Sequence, residues 1–335
     1  MTIIDIANEA GYSVSTVSRV LNGRRDVSEE ARQKIMEVVQ ANHFVPNHNA
    51  KCLKQTVSKS ILIIVKGTSN MLFSNVIEAA QGIVDESKYS LRVHYLDEDA
   101  NEVQEALRVC REHRPLGILF LGSNEQNFRQ DFQYVDVPCV LVTDRGDELG
   151  FENLSSVSTD DVAAAEQAID YLYDNGHRNI GIVGGDVQLS SPSRRRKEGC
   201  LRSFQKHGIA FDEQSYVTAR FSCDSAYQAM NRLLEQERSL TAVFAMSDVM
   251  AVGAIRAILD AGLRVPEDIS MVGYDGTLLA NYYNPKIVTI CQEYEEIAKR
   301  SMEILVGMIN LGQQALHQMI PFELKNTESV IRITG

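Results

Sequence analysis

The stretch Ile4-Asp5-Ile6-Ala7-Asn8-Glu9-Ala10-Gly11-Tyr12-Ser13-Val14-Ser15-Thr16-Val17-Ser18-Arg19-Val20-Leu21-Asn22-Gly23 decides how the chain begins. Ile3, Ile6, Ala7 and Ala10 recur at the spacing of one helical face. Thr2, three residues before Asp5, has the pattern of a capping box. Gly11 stops this first helix and suits a tight turn. Ser13 is placed to cap a second helix running through Val14, Val17 and Leu21 to a stop at Asn22-Gly23. Ser28 is placed to cap a third, with Glu29 and Glu30 in its first turn, where the helix dipole favours acids. Ile35, Val38 and Val39 form its apolar face, and Pro46 closes the unit.

Helix, glycine-containing turn, short helix and third helix is the helix-turn-helix plan. Its second helix carries Ser13, Val14, Ser15, Thr16, Ser18 and Arg19. Short hydroxyl side chains allow close approach to phosphates, and an arginine can pair with guanine O6 and N7. By spacing alone, a generic three-helix bundle with a serine-rich surface helix fits equally well.

The whole chain has 335 residues, too many for one ordinary core, which predicts two or three domains. Residues 1–60 hold eight Lys/Arg and six Asp/Glu, net +2, whereas the chain as a whole is −12. A small basic head on an acidic body leaves the head as the part that can approach phosphate. A charge of +2 implies few phosphate contacts per head and a need for two heads. The longest aliphatic run, Ile61–Val65, is far short of a membrane span, and no basic segment followed by an apolar one opens the chain, so a cytoplasmic protein without membrane attachment is expected. The six cysteines, at 52, 110, 139, 200, 223 and 291, form no C-x-x-C pair and read as free thiols of a reducing compartment rather than a metal or disulfide framework.

Beyond residue 60 apolar strands alternate with helical stretches. Strands are expected at 61–65, 91–95, 117–121, 139–142, 180–183, 215–219, 242–245 and 270–273. Helices are expected around 76–84 and at 101–113, 161–175, 194–207, 225–236 and 248–261. This alternation predicts doubly wound parallel sheets, and the number of strands predicts two of them. No G-x-x-x-x-G-K-[ST], G-x-G-x-x-G or G-x-S-x-G occurs, the histidines do not cluster at metal-ligand spacing, and neither an enzyme nor a cofactor or metal is expected. A solute-binding module without a regulatory role would account for the body but not for the head.

The run from Ile4 to Gly23, continued by Val27-Ser28, Arg32 and Pro46-Asn47, resembles the start of the lactose-repressor/galactose-repressor family. The likeness continues through Asp144-Arg145, Gly176-His177-Arg178, Pro266-Glu267-Asp268-Ile269-Ser270, Val272-Gly273-Tyr274-Asp275 and Glu328-Ser329-Val330, so it spans the chain. It implies an all-α helix-turn-helix head and an α/β body of two doubly wound, periplasmic-binding-protein-like subdomains around a cleft. The implied domains are 1–46 (head), 47–58 (hinge helix) and 59–335 (effector domain). Within the last, one subdomain covers about 60–160 and 291–321, the other about 161–290 and 322–335, with crossings near 158–162, 288–292 and 320–323. The function implied is a homodimeric transcriptional repressor of carbohydrate genes that binds a pseudo-palindromic double-stranded DNA operator and is gated by a small-molecule effector, a sugar or sugar derivative.

Residue by residue, the resemblance puts Val14, Ser15 and Arg19 at base-reading positions, where Val14 suits a thymine methyl. It puts Thr2, Ser13, Thr16, Ser18 and Asn22 against the DNA backbone. Asn49-Ala50-Lys51-Cys52-Leu53-Lys54 matches the hinge, with Ala50 and Leu53 at the minor-groove wedge, although Lys51 and Cys52 stand where arginine and serine are usual. Phe73, Arg196, Phe221, Ser247 and Asp275 match effector positions. Phe221 would stack on a ring, while Arg196 and Asp275 would bind hydroxyls. Taken singly, Phe221 could be core, Arg196 a solvated member of Arg194-Arg195-Arg196, and Asp275 a turn residue. Departures concentrate in the pocket: Met71-Leu72 replaces the usual Pro-Phe, Ser247 stands where asparagine is common, Gly276 where a second aspartate is, and Pro192 in a usually polar loop. A common hexose is therefore not implied. The helix after Val76 carries no distinctive basic patch for a phosphoprotein partner.

Overall fold

The computed structural model describes residues 3–21, 27–42, 59–85, 89–237 and 239–333. The chain divides into two compact units, Met1–Ser58 and Lys59–Gly335. In the first, α1 (Ile3–Ala10), α2 (Val14–Leu21) and α3 (Glu29–Ala41) close around Ile6, Ala7, Ala10, Val17, Val20, Ile35 and Val39. Local chemistry sets their ends. Gly11 takes a φ of +74°, a conformation that strains any side chain, and the Tyr12 N–H returns to the Ala7 carbonyl. The Ser13 hydroxyl accepts the Thr16 N–H at 3.2 Å, and that of Ser28 accepts the Ala31 N–H at 3.4 Å. Thr2 and the stop at Asn22-Gly23 lie outside the described residues.

The second unit holds two six-stranded sheets. The first contains β1 (Ser60–Lys66), β2 (Ser90–Leu96), β3 (Gly117–Leu121), β4 (Cys139–Val142), β5 (Leu154–Ser158) and β11 (His317–Met319) in the order β11-β5-β4-β3-β1-β2. All its pairings are parallel. Side chains alternate across it. Ile61, Ile63 and Val65 pack with α4 (Met71–Asp85) and α12 (Tyr294–Leu311). Leu62 and Ile64 pack with α5 (Glu102–His113) and α6 (Glu125–Asp131). Helices on both faces are why these strands read as continuous apolar runs.

The second sheet contains β6 (Ile180–Gly184), β7 (Tyr216–Thr218), β8 (Ala242–Ala245), β9 (Ser270–Asp275), β10 (Val288–Gln292) and β12 (Phe322–Lys325) in the order β12-β10-β9-β8-β6-β7. Its pairings are parallel except for β12, which runs antiparallel to β10, an edge that the expectation of purely parallel sheets did not include. Its helices are α7 (Asp161–Asp174), α8 (Ser191–Lys206), α9 (Cys223–Gln236), α10 (Asp248–Asp260) and α11 (Leu278–Tyr282). The chain passes between the sheets after β5, after β10 and between β11 and β12.

Two differences from the sequence reading have clear causes. α8 begins at Ser191, not 194, because Pro192 falls in the first helical turn, where its missing N–H is no loss, and the Ser190 hydroxyl caps the turn. β5 was not expected because Leu-Ser-Ser-Val-Ser lacks the apolar signature. Its serines are buried by partners near the end of the chain: the Ser155 hydroxyl accepts the Leu316 N–H at 3.0 Å, and Ser156 bonds His317 Nδ1 at 2.9 Å. No described helix is long and apolar enough to cross a membrane.

Both sheets share one plan. The runs β2-β1-β3-β4-β5 and β7-β6-β8-β9-β10 each reverse direction of growth next to their first strand. In such sheets the crevice for a ligand opens at the carboxyl ends of the strands beside that reversal, here after β1 and β3 and after β6 and β8.

Candidate functional site

The first unit presents one face of α2. Val17 and Val20 point inward, while Val14, Ser15 and Arg19 are exposed, Val14 by 41%. An exposed valine between polar residues is what a helix needs to meet the methyl edge of a base. Ser13 is also exposed, and its hydroxyl lies 2.8 Å from those of both Ser15 and Thr16, so the three form one hydroxyl cluster at the helix start. Thr16 and Ser18 are half-buried. Thr2, Asn22, Ala50 and Leu53 lie outside the described residues.

The second unit has a cavity of about 290 Å³ between its two sheets, at the carboxyl ends of β1, β3 and β6. Lys66-Gly67 follow from β1, Gly122-Ser123 from β3, and Gly185-Asp186 from β6. Phe73 on α4 and Phe221 before α9 provide aromatic walls. A side chain at Gly185 would meet the Phe221 ring, its Cβ falling 2.8 Å from the nearest ring carbon, so glycine permits that ring to enter. Gly122, at a φ of +76°, similarly lets Phe73 close on the floor.

Arg196 lines the cavity from α8 but is 4% exposed. Its Nε donates to Asp161 Oδ1 at 2.8 Å, its Nη1 to the Met246 carbonyl at 2.5 Å, and its guanidinium lies 3.7 Å from the centre of the Tyr274 ring. The Tyr274 hydroxyl also donates to Asp161, at 2.7 Å. Burial opposes the charge of Arg196, but Asp161, Tyr274 and Asp275 outweigh it and raise the guanidinium pKa above its ordinary value. Arg196 is thus as much a strut of this half as a wall of the cavity.

Phe73, Arg196 and Phe221 therefore meet at the cavity, whereas Ser247 and Asp275 do not line it. Ser247 is fully buried, and its hydroxyl accepts the Met250 N–H as the cap of α10. Asp275 is 2% exposed, accepts a hydrogen bond from Gln292 Nε2 at 2.9 Å, and takes a φ of 108°. Burial, opposed by the charge of Arg196, pushes its carboxyl up to about 8, and burial pushes that of Asp248, held by Thr289 and Thr277, up to about 6.

A carboxyl that holds its proton more tightly folded than unfolded contributes stability in full below its ordinary pKa, 3.8, and loses it as pH rises through the folded value, about 8. The thermal unfolding temperature is therefore expected to decline between about pH 5 and pH 8, and Asp275→Asn to flatten that decline. Asparagine suits the test because it tolerates positive φ and keeps an acceptor for Gln292. Melting curves of the two proteins that track each other across the range would refute the assignment.

Sequence reasoning missed several cavity residues: Lys66, Glu98, Asp99, Asp186 and Arg220. Glu98 and Asp99 lie just past the carboxyl end of β2, so the strand-end rule was the available signal. Arg220 reaches across to Asp97 and Asp99 at 2.7 and 2.5 Å, and the Phe221 N–H donates to Glu98 at 3.1 Å. On another side Arg194 pairs with Glu125, Arg195 with Asp144, and the Glu125 N–H donates to the Ser191 hydroxyl at 2.9 Å. These contacts tie the two halves together around the cavity. Among the described residues no cluster of His, Cys, Asp and Glu has the arrangement to hold a metal ion.

Residues 2–47 match the family model for bacterial regulatory proteins of the lacI family, and residues 169–330 that for a periplasmic binding protein-like domain. The HTH-type transcriptional regulator MalR of Clostridium butyricum is 33% identical over 99% of this chain and 100% of its own. The ribose operon repressor of Haemophilus influenzae is 33% identical over 92% of each chain. Among solved structures, the lac repressor dimer bound to operator and the anti-inducer ONPF superposes with a TM-score of 0.73 at 25% identity, covering 99% of both chains.

Proposed function

The chain belongs to the lacI family of bacterial regulatory proteins, and from that premise we propose that it is a DNA-binding transcriptional repressor whose operator affinity is set by a small molecule in the cleft of its second unit. The observation that carries the reading is the joining, on one chain, of an exposed α2 face bearing Val14, Ser15 and Arg19 to a cavity framed by the strand ends of two sheets. The head is assigned to 1–46, the hinge to 47–58 and the effector domain to 59–335. One effector subdomain takes about 60–160 and 291–321, the other about 161–290 and 322–335.

In this reading Val14, Ser15 and Arg19 read base edges, while Thr2, Ser13, Thr16, Ser18 and Asn22 meet the backbone. Phe73 and Phe221 sandwich a sugar or sugar derivative, and Arg196 offers it a donor. Asp275 and Ser247 hold the floor beneath rather than the ligand itself. The protein works as a cytoplasmic homodimer on a pseudo-palindromic operator, since one weakly basic head has few phosphate contacts to offer. Val93 and Tyr95 on the edge strand β2, and Leu278 and Tyr282 on α11, are exposed apolar side chains suited to self-association. In this reading it acts as a regulator rather than an enzyme, as its relatives in the family do. The effector acts by preferring one cleft geometry, and the coupling must be reciprocal, DNA shifting effector affinity by the factor with which effector shifts that of DNA.

A titration of operator DNA against the full chain, with and without a sugar found by thermal shift, tests the gating; an operator affinity indifferent to every stabilising sugar would refute it. Leu53→Ala is expected to weaken operator binding by about 1.5–3 kcal/mol, the worth of one buried leucine, while leaving effector binding unchanged. Equal affinities of the two proteins at matched salt would remove Leu53 from the minor groove.

A further inference from the structure

The charge pattern of the cavity bears on the kind of molecule it takes. Lys66, Arg196 and Arg220 border it, and each is already paired within the protein. Lys66 Nζ lies 3.1 Å from Glu102 in a pair that is almost wholly buried. Arg196 holds Asp161, and Arg220 holds Asp97 and Asp99. The wall carboxylates Glu98 and Asp186 meet main-chain donors: the Phe221 N–H at 3.1 Å and the Gln188 N–H at 2.8 Å. The charge left over at the wall is therefore negative.

A phosphate or carboxylate entering this space would lose its hydration and face like charges without a spare cation, an arrangement that suppresses binding. A hydroxyl instead donates to a carboxylate in a charge-assisted hydrogen bond. Glu98 is well placed for that role. Burial raises its carboxyl above its ordinary value, so its ionised form gains from every additional donor. It also already accepts an N–H from the opposite wall, so a hydroxyl bonded to it joins a contact that bridges the two halves of the cleft.

Building on the gated-cleft reading, we propose that the cleft takes a polyhydroxylated ligand bearing no phosphate or carboxylate, and that Glu98 both accepts one of its hydroxyls and excludes anions. The test is thermal unfolding and calorimetric titration of the full chain with matched pairs: glucose beside glucose 6-phosphate and glucuronate, ribose beside ribose 5-phosphate, and cellobiose and maltose as larger neutral sugars. At least one neutral sugar is expected to bind at least about tenfold more tightly than any charged counterpart. Glu98→Gln is expected to weaken the neutral sugar and to narrow that ratio, because the variant loses the repulsion along with the stronger acceptor. A charged member binding more tightly than its neutral partner overturns the charge assignment while leaving the gated cleft standing. An unchanged ratio in Glu98→Gln, with the variant unfolding in a single wild-type-like transition, removes Glu98 from the role. Silence of the whole panel instead brings down the sugar reading, and this inference with it.

Discussion

An Arg196→Ala chain is expected to lose about 3–5 kcal/mol of stability before any effect on a ligand is counted, because the substitution strands a buried carboxylate. Asp161 is 3% exposed and takes hydrogen bonds from both Arg196 and Tyr274. The Met246 carbonyl would lose its donor as well. Were Arg196 only a solvated ligand residue, alanine would spare the fold and remove the response alone. The buried geometry says otherwise: stability and response fall together. Urea unfolding of the variant, followed by circular dichroism, gives the loss. Adding Asp161→Asn should recover part of it, since the uncompensated charge is then gone. A variant with the wild-type urea midpoint would refute the strut role. The effect reaches the cleft contacts, because the same helix carries Arg194 and Arg195, which hold Glu125 and Asp144 on the other half.

Gly199→Ala should be comparably damaging by a different route. α8 crosses α7 so closely at Gly199 that an added Cβ would fall 2.2 Å from the Val162 carbonyl oxygen and 2.9 Å from the Glu166 nitrogen. Both are backbone atoms, so the helices themselves must separate, at a cost of about 1–3 kcal/mol or more. Separation also lengthens the reach from Arg196 on α8 to Asp161 on α7, so the overpacking and the weakened ion pair add in one direction. Gly82→Ala is the control. It lies within α4, is exposed, and an added Cβ meets nothing within 4 Å. Alanine there should stabilise by about 0.5–1 kcal/mol through the backbone entropy term. Opposite signs in the two denaturation midpoints are the expected outcome, and equal small shifts would show that α7 and α8 are not in van der Waals contact at this point.

The two glycines also show where sequence reading ends. Gly82 and Gly199 both stand within helices and are indistinguishable to a local rule; only the helix packed alongside separates them. By contrast, the head was legible almost residue by residue. Gly11, Ser13 and Ser28 act on atoms three to five positions away, so their chemistry is contained in the stretch that carries them. The central strands were legible too, because burial on both faces demands an unbroken apolar run. β5 was not, since its serines find partners at Ser155–Leu316 and Ser156–His317, separated by 161 positions.

For the cleft, likeness to a family led to Phe73, Arg196 and Phe221, but could not say that Arg196 is tied to Asp161 or that Ser247 and Asp275 lie beneath the cavity. Sequence by itself determined the three helices of the head, the strand–helix alternation and the absence of a long apolar span, each a consequence of periodicity and of caps acting over a few residues, while likeness to a family was needed to read those three helices as a helix-turn-helix. Tertiary structure alone decided which charges neutralise which. Lys66 meets Glu102 36 residues on, Arg196 meets Asp161 35 residues back, and Arg220 meets Asp97 123 residues back. Those pairings depend on the order in which strands join two separate sheets, and electrostatic energy depends on distance in space rather than along the chain.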